Sequence, residues 1–160
     1  MRYGDAADEA VIREQHAVFA LMAKVHHEYR RAITRLLHHL SLSEREHEVL
    51  ARVNEHGKLR HAELARRCFI TRQSMHALLK NLEERKLVQS WAGQSGRDSY
   101  VGLTNRGLAV LEEADTFVCS FRDGIAARLG IQHHAALKSL LHSLHDTLTT
   151  AEKHPEQFDH

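Results

Sequence analysis

Residues 61–104, "HAELARRCFITRQSMHALLKNLEERKLVQSWAGQSGRDSYVGLT", change their hydrophobic period partway along. They open as a short amphipathic segment, "HAELARR", break at "CFI" and resume at Thr71, a residue type that caps helix N-termini. Met75, Leu78, Leu79 and Leu82 then fall at i, i+3, i+4 and i+7, the stripe of a helix facing a core. The opposite face presents Arg72, Gln73, Ser74, His76 and Lys80 to solvent. After Leu87 the pattern shortens to "LVQSWA" and "SYVGLT" around "GQSGRD", which predicts a hairpin with a glycine-containing tip. Two helices around a tight connection, with a hairpin behind them, predict a helix-turn-helix carrying a wing.

On either side the pattern is helical. Val18, Met22, Val25, Tyr29, Ile33, Leu36 and Leu40 recur every three or four residues and predict one long amphipathic helix. Ser43 and Glu46 have capping-box spacing, Val49, Leu50 and Val53 continue the stripe, and Gly57 stops a helix running from about Ser43 to Asn54. Beyond Thr104, Leu108, Leu111, Ala114, Val118, Phe121, Ile125 and Leu129 form another long stripe, with Gly130 as its stop. Leu137, Leu140, Leu141, Leu144 and Leu148 form the last, and the single proline, Pro155, interrupts none of these segments.

The expected fold is therefore mainly α with a small β-hairpin wing. A winged helix-turn-helix DNA-binding domain at 41–106 is expected between an N-terminal dimerisation helix at 1–40 and C-terminal dimerisation helices at 107–153, with a disordered tail at 154–160. The long stripes at the two chain ends exceed what a small winged helix covers, so a homodimer is expected.

Composition sets the surroundings. The N-terminus "MRYGDAADEAVIREQ" has no apolar signal region, and no stretch approaches the ~20 apolar residues that span a bilayer, which points to the cytoplasm and away from a membrane. Cys68 and Cys119 lie far apart, outside any CxxC spacing, as expected in a reducing compartment. The net charge is only +1, yet Lys58 to Arg106 hold ten Lys/Arg against four Asp/Glu, while the remainder holds twelve against seventeen. A basic module between acidic flanks is the electrostatic footprint of a phosphate-facing domain.

Ser43 through Leu50, "AELAR", Leu82-Glu83 with Leu87-Val88, a wing arginine and Leu103-Thr104 with Gly107 form a spaced frame that resembles the MarR family of winged helix-turn-helix bacterial regulators. The resemblance covers roughly residues 41 to 114, and the flanking helices agree in length and order with the family's dimerisation region. It implies a ligand-responsive, sequence-specific regulator of transcription. Such a protein is a homodimer on a pseudo-palindromic operator in double-stranded DNA, most often a repressor released by a small molecule. The alternative from a different class is a non-catalytic winged-helix scaffold or protein-interaction module.

Within that frame Arg72, Gln73, Ser74 and His76 are expected at base edges, where arginine suits guanine and glutamine suits adenine. Thr71 is the expected N-cap and a phosphate contact, and Lys58, Arg60, Arg66 and Lys80 are expected on phosphates. Arg97 stands six residues before Leu103, the family's minor-groove arginine, with Ser95 beside it in the DNA-contacting wing. Ser95 stands where the family usually has Asp, Gly96 where it has a basic residue, and Ser90 where it has arginine. That leaves Arg97 without its usual acidic partner. The family's effector crevice maps onto Phe19, Met22, His26, Tyr29, Arg30 and Phe117, an aromatic floor with a cationic rim suited to an aromatic acid or its thioester.

Fifteen histidines invite a metal reading, which the spacing opposes. Neighbours such as His26-His27, His38-His39 and His133-His134 point about 100° apart on a helix, and only His142 and His145 share a face at i, i+3. Zinc-sensing relatives take ligands from the helix after the Leu-Thr pair, and no histidine lies between Asn105 and Leu129. No metal and no cofactor are expected. Both cysteines are expected as small core residues and Trp91 as a strand-packing aromatic. The absence of GxSxG, HExxH and a phosphate loop argues against an enzyme.

Overall fold

The computed structural model describes residues 5–93, 99–154 and 156, with side chains from residue 17 onward. The chain forms two compact units, residues 1–118 and 119–160. In the first, α1 spans Asp5–Leu36 and is followed by a 3-10 turn at His38–Leu40. The expected continuation of α1 to Leu40 is thus corrected. Leu37 and Leu42 are both buried, and the Leu42 N–H reaches back to the Leu37 carbonyl at 3.3 Å. The chain turns sharply through Ser41, φ 52°, to place both leucines in the core.

Helix α2 (Glu44–His56) begins with the expected capping box. Ser43 Oγ accepts from the Glu46 N–H at 3.2 Å, and the Ser43 N–H donates to Glu46 Oε2 at 2.7 Å. Gly57, φ 74°, closes the helix in a conformation that costs glycine little. The capping carboxylate also accepts from Arg85 Nη1 at 2.8 Å, tying the start of α2 to the end of the helix at Arg72–Glu84.

Helices α3 (His61–Arg67) and α4 (Arg72–Glu84) form the helix-turn-helix. Their turn passes through Phe69 at φ 53°, the Ile70 N–H returning to the Ala65 carbonyl at 3.0 Å, and Arg45 Nη1 donates to the Cys68 carbonyl at 3.1 Å. Met75, Leu79 and Leu82 of α4 are buried as expected, whereas Leu78 is only half-buried at the edge of the stripe.

The wing is larger than a hairpin. Strands β2 (Val88–Ala92) and β3 (Ser99–Leu103) pair antiparallel from Val88↔Leu103 to Ala92↔Ser99, and a two-residue β1 (Leu59–Arg60) joins β3 on its other side. Helix α5 (Asn105–Leu129) starts at Thr104, whose Oγ1 accepts from the Gly107 N–H at 3.0 Å and donates to the Lys86 carbonyl at 2.7 Å. The core draws Ile33 and Leu37, Leu50, Leu64, Met75 and Leu79, Leu87 and Leu111 from successive elements, each 2% exposed or less. Each such burial stabilises by about 1.5–3 kcal/mol relative to exposure.

In the second unit the remainder of α5 leads through Gly130, φ 76°, into α6 (Ile131–Lys153). Leu137, Leu140, Leu141 and Leu148 of α6 are exposed and Leu144 is half-buried. Among the described residues no helix is long and apolar enough to cross a membrane.

Candidate nucleic-acid interface

Helix α4 has one face in the core and one in solvent. Thr71 caps it: Oγ1 accepts from the Ser74 N–H at 3.1 Å and lies 2.9 Å from Ser74 Oγ. The first turn contains no acidic residue, so the positive end of the helix dipole is not offset by a carboxylate on its own first turn. Arg72, Gln73, Ser74, His76 and Lys80 are all exposed on this helix, with Thr71 at its start. Helix N-termini of this kind suit phosphate oxygens, and the side chains beside them suit groove edges.

Arg67 is matched by Glu63 at 2.8 Å and also donates to His56 Nε2 at 3.0 Å, and its guanidinium lowers the Glu63 carboxyl below the usual carboxylate range. Arg85 is matched by Glu46. Lys58, in the turn before β1, and Arg66, in the last turn of α3, are exposed. Arg60, on the edge strand, is also exposed and donates through Nε to the Tyr100 hydroxyl at 3.1 Å. Ser95 and Arg97, the wing-tip pair, lie outside the described residues.

Two contacts here escape sequence reasoning. His61, the first residue of α3, places Nε2 3.1 Å from Ser90 Oγ on β2 and so joins the wing to the helix-turn-helix. Burial pushes its imidazole below the ordinary histidine value, Glu83 and a backbone hydrogen bond at Tyr100 oppose the shift, and His76 adds to it. The Arg60–Tyr100 contact joins residues forty positions apart, so no local pattern announces it.

The six residues expected around an effector are more dispersed. Phe19, His26 and Arg30 are exposed on α1, and Met22 and Tyr29 are half-buried there. Arg30 pairs with Glu44 at 3.1 Å, and Phe117 of α5 meets His39 edge-on with centroids 4.7 Å apart. A shallow groove along α1 is lined by His27, Arg30, Arg31, Thr34 and Arg35, so Arg30 is the residue it shares with the expected set. Cys68 is buried as expected, whereas the expectation of a core position for Cys119 is corrected, since it is exposed on α5; among the described residues no three His, Cys, Asp or Glu side chains are grouped to hold a metal ion.

A capped helix with a polar, cation-bearing outer face, set between a second short helix and a three-stranded wing, defines a winged helix-turn-helix. The MarR family profile matches residues 34–97. No curated protein sequence matches the chain. Solved structures do. A cysteine-to-serine mutant of MarR from E. coli, complexed with operator DNA, superposes with a TM-score of 0.76 at 20% identity, over 82% of this chain and 95% of that one. The transcriptional regulator BldR from Sulfolobus solfataricus gives 0.73 at 23% identity, over 87% and 97%. The transcriptional regulator PA4135 gives 0.69 at 26% identity, over 79% and 95%. Over residues 34–97 the chain is thus similar to the MarR family, and its fold is that of the winged-helix regulators of known structure.

Proposed function

We propose that the protein is a homodimeric repressor that binds a pseudo-palindromic operator in double-stranded DNA and releases it on binding a small effector. The observation that carries the reading is α4: a helix anchored by Met75, Leu79 and Leu82 whose capped N-terminal end exposes Arg72, Gln73, Ser74 and His76 together. Phosphate contacts by Thr71, Lys58, Arg60, Arg66 and Lys80 set the register, and the wing residues Ser95 and Arg97 reach the adjoining minor groove. A similar MarR structure holds operator DNA, and MepR from S. aureus, which superposes with a TM-score of 0.74 at 19% identity, is in complex with DNA.

Residues 1–40 and 107–153 serve dimerisation in this reading. Val18, Phe19, Leu21 and Val25 leave an apolar face of α1 exposed on a single chain, and Leu137, Leu140, Leu141 and Leu148 do the same on α6. A second copy covers such faces and sets the spacing of the two recognition helices. An aromatic acid or its thioester, held by Phe19, Met22, His26, Tyr29, Arg30 and Phe117, shifts that spacing away from the DNA-competent one.

The deciding experiment is a gel shift on the intergenic DNA upstream of the gene, titrated with salt. Selective binding that weakens as salt rises supports the repressor. No binding even at low salt means that the winged helix serves protein contacts instead. Release of bound DNA by an aromatic acid supports the effector assignment, and indifference to aromatic acids and their thioesters removes it.

A further inference from the structure

His61 is half-buried at the start of α3 and meets three other elements. Its Nε2 lies 3.1 Å from Ser90 Oγ on β2. A backbone hydrogen bond at Tyr100 on β3 favours the charged ring, so there the imidazole donates. A neutral imidazole has one N–H, and with that hydrogen given to Tyr100, Nε2 is left as an acceptor for the Ser90 hydroxyl. From α4, Glu83 favours the charged ring and His76 opposes it. On its own helix the nearest acid in sequence, Glu63, is held by Arg67. Arg60, the preceding residue, and His76 both belong to the proposed DNA face, so the pair adjoins that face, and Ser90 is exposed.

We propose that His61 and Ser90 form a proton-gated phosphate contact, in which the protonated ring donates through Nε2 to Ser90 Oγ and the Ser90 hydroxyl hydrogen turns outward to a DNA phosphate. The inference rests on the DNA-binding reading and adds two residues to which that reading assigns no contact. The proton comes from water and binds at Nε2, and only hydrogen bonds rearrange. With the ring neutral, the one hydrogen of the Ser90 hydroxyl points at the imidazole, and the pair has no donor to offer a phosphate. Protonation adds a positive charge and frees that hydrogen, and a charge-assisted chain of this kind is stronger than a neutral one. Burial holds the ring neutral in the free protein, whereas a phosphate beside it favours the imidazolium. The DNA-bound pKa therefore lies above the free one, and binding takes up a proton. Affinity is flat above the bound value, rises as the pH falls between the two, and levels below the free value. Stability runs the other way, because the fold prefers the neutral ring. Acid thus strengthens binding while it weakens the fold, a combination that general loss of structure does not produce.

The test is the affinity of the full chain for the upstream intergenic duplex at fixed salt, from about pH 8 to about pH 6, with proton uptake read from the dependence of binding enthalpy on the buffer's ionisation enthalpy. It compares wild type, His61→Gln, His76→Gln and Ser90→Ala. Wild type is expected to gain affinity towards the acid end, by at most about tenfold per pH unit for the one proton at His61. His61→Gln is expected to remove that part of the rise and of the proton uptake, and His76→Gln to leave it in place. Ser90 is exposed, and Ser90→Ala is expected to stay folded throughout. It should bind as wild type does at about pH 8, where the hydroxyl is turned to the ring, and roughly three- to tenfold more weakly at about pH 6. A wild-type pH slope in His61→Gln, or a Ser90→Ala loss of equal size at both ends, overturns the inference and leaves the DNA-binding reading standing. Failure of the wild type to bind the duplex at low salt at any of these pH values overturns both.

Discussion

His47 Nε2 lies 2.7 Å from Asp115 Oδ1, so a buried imidazole on α2 is tied to α5 by one short hydrogen bond. An ionised carboxylate only accepts, so Nε2 carries the hydrogen. The His47 side chain is 7% exposed and that of Asp115 46%, which leaves one end of the bond wet. Asp115→Ala strands a buried donor and is expected to cost about 1–2 kcal/mol, the lower part of the usual range because water reaches this side. Asp115→Asn keeps an acceptor oxygen and should lose less. Urea unfolding midpoints check the order, and equal midpoints for wild type and Asp115→Ala would show the contact to be inert.

The junction between wing and α5 is less forgiving. A Cβ at Gly107 would overlap the Leu87 carbonyl oxygen, and this is backbone that cannot swing aside. The same carbonyl accepts from the Thr104 N–H at 3.1 Å. Gly107→Ala is therefore expected to cost 3 kcal/mol or more, at or above the upper end of the range of about 1–3 for overpacking. Thr104→Ala removes the cap and the hydrogen bond from its hydroxyl to the Lys86 carbonyl, and should cost about 1–2 kcal/mol. Thermal melts of the two variants should rank them in that order, and a Gly107→Ala protein as stable as wild type would contradict the packing.

The boundaries legible in the sequence are those written in local chemistry. Ser43 with Glu46 announces its capping box, Thr71 its cap and Gly57 its stop, and each stands where its spacing predicts. The turns that escape prediction lack such a signal: Ser41, Phe69 and Lys86 all adopt positive φ without being glycine, held there by returning backbone hydrogen bonds such as Leu87 N–H to Leu82 O at 2.9 Å. Strand β1, two residues long, is too short to show a period. The polar face of α4 is legible because helical spacing alone gathers it, whereas the Arg60–Tyr100 contact depends on sheet register.

His61 gives the fold a dependence on pH. Burial is the main reason that its folded pKa lies below the unfolded value of 6.5. The folded state therefore prefers the neutral ring. The contribution of His61 is fully present above about pH 6.5 and is lost as the pH falls through the lower folded value. His61→Asn should flatten this part of the profile, so melting temperatures should fall less in the variant than in wild type between about pH 7 and about pH 5. Parallel profiles would rule His61 out as a contributor.

The two cysteines should separate chemically. Burial raises the Cys68 thiol to about 11, with the Glu48 carboxylate assisting and Arg52 and Arg45 opposing. Cys119 is exposed. Since the thiolate is the reactive form, iodoacetamide at neutral pH is expected to modify Cys119 well before Cys68, and denaturation should equalise them. Mass spectrometry of timed samples reads this directly. Rapid native alkylation of Cys68 would mean that the turn between α3 and α4 opens.

Recognition helix and wing should fail in different ways. Arg72→Ala or Gln73→Ala is expected to cost roughly 1–3 kcal/mol per lost bidentate base contact and to relax preference at one symmetric operator position. Lys80→Ala or Arg66→Ala should weaken binding evenly across sequences and flatten the salt slope by about 1. Arg97 lies outside the described residues, and its expected behaviour follows from its place in "GQSGRD". A guanidinium in a narrow minor groove reads shape and potential, so Arg97→Ala should weaken binding to every operator and most where A·T pairs narrow the groove. Ser95 and Gly96 stand where the family has an acidic and a basic residue, so the loss of Arg97 is expected to cost less than that of a wing arginine held by a carboxylate at the family's acidic position. Titrations on a small operator panel separate the three patterns. If Arg97→Ala binds every operator as tightly as wild type at moderate salt, the hairpin is not a groove probe, and specificity rests on α4 alone.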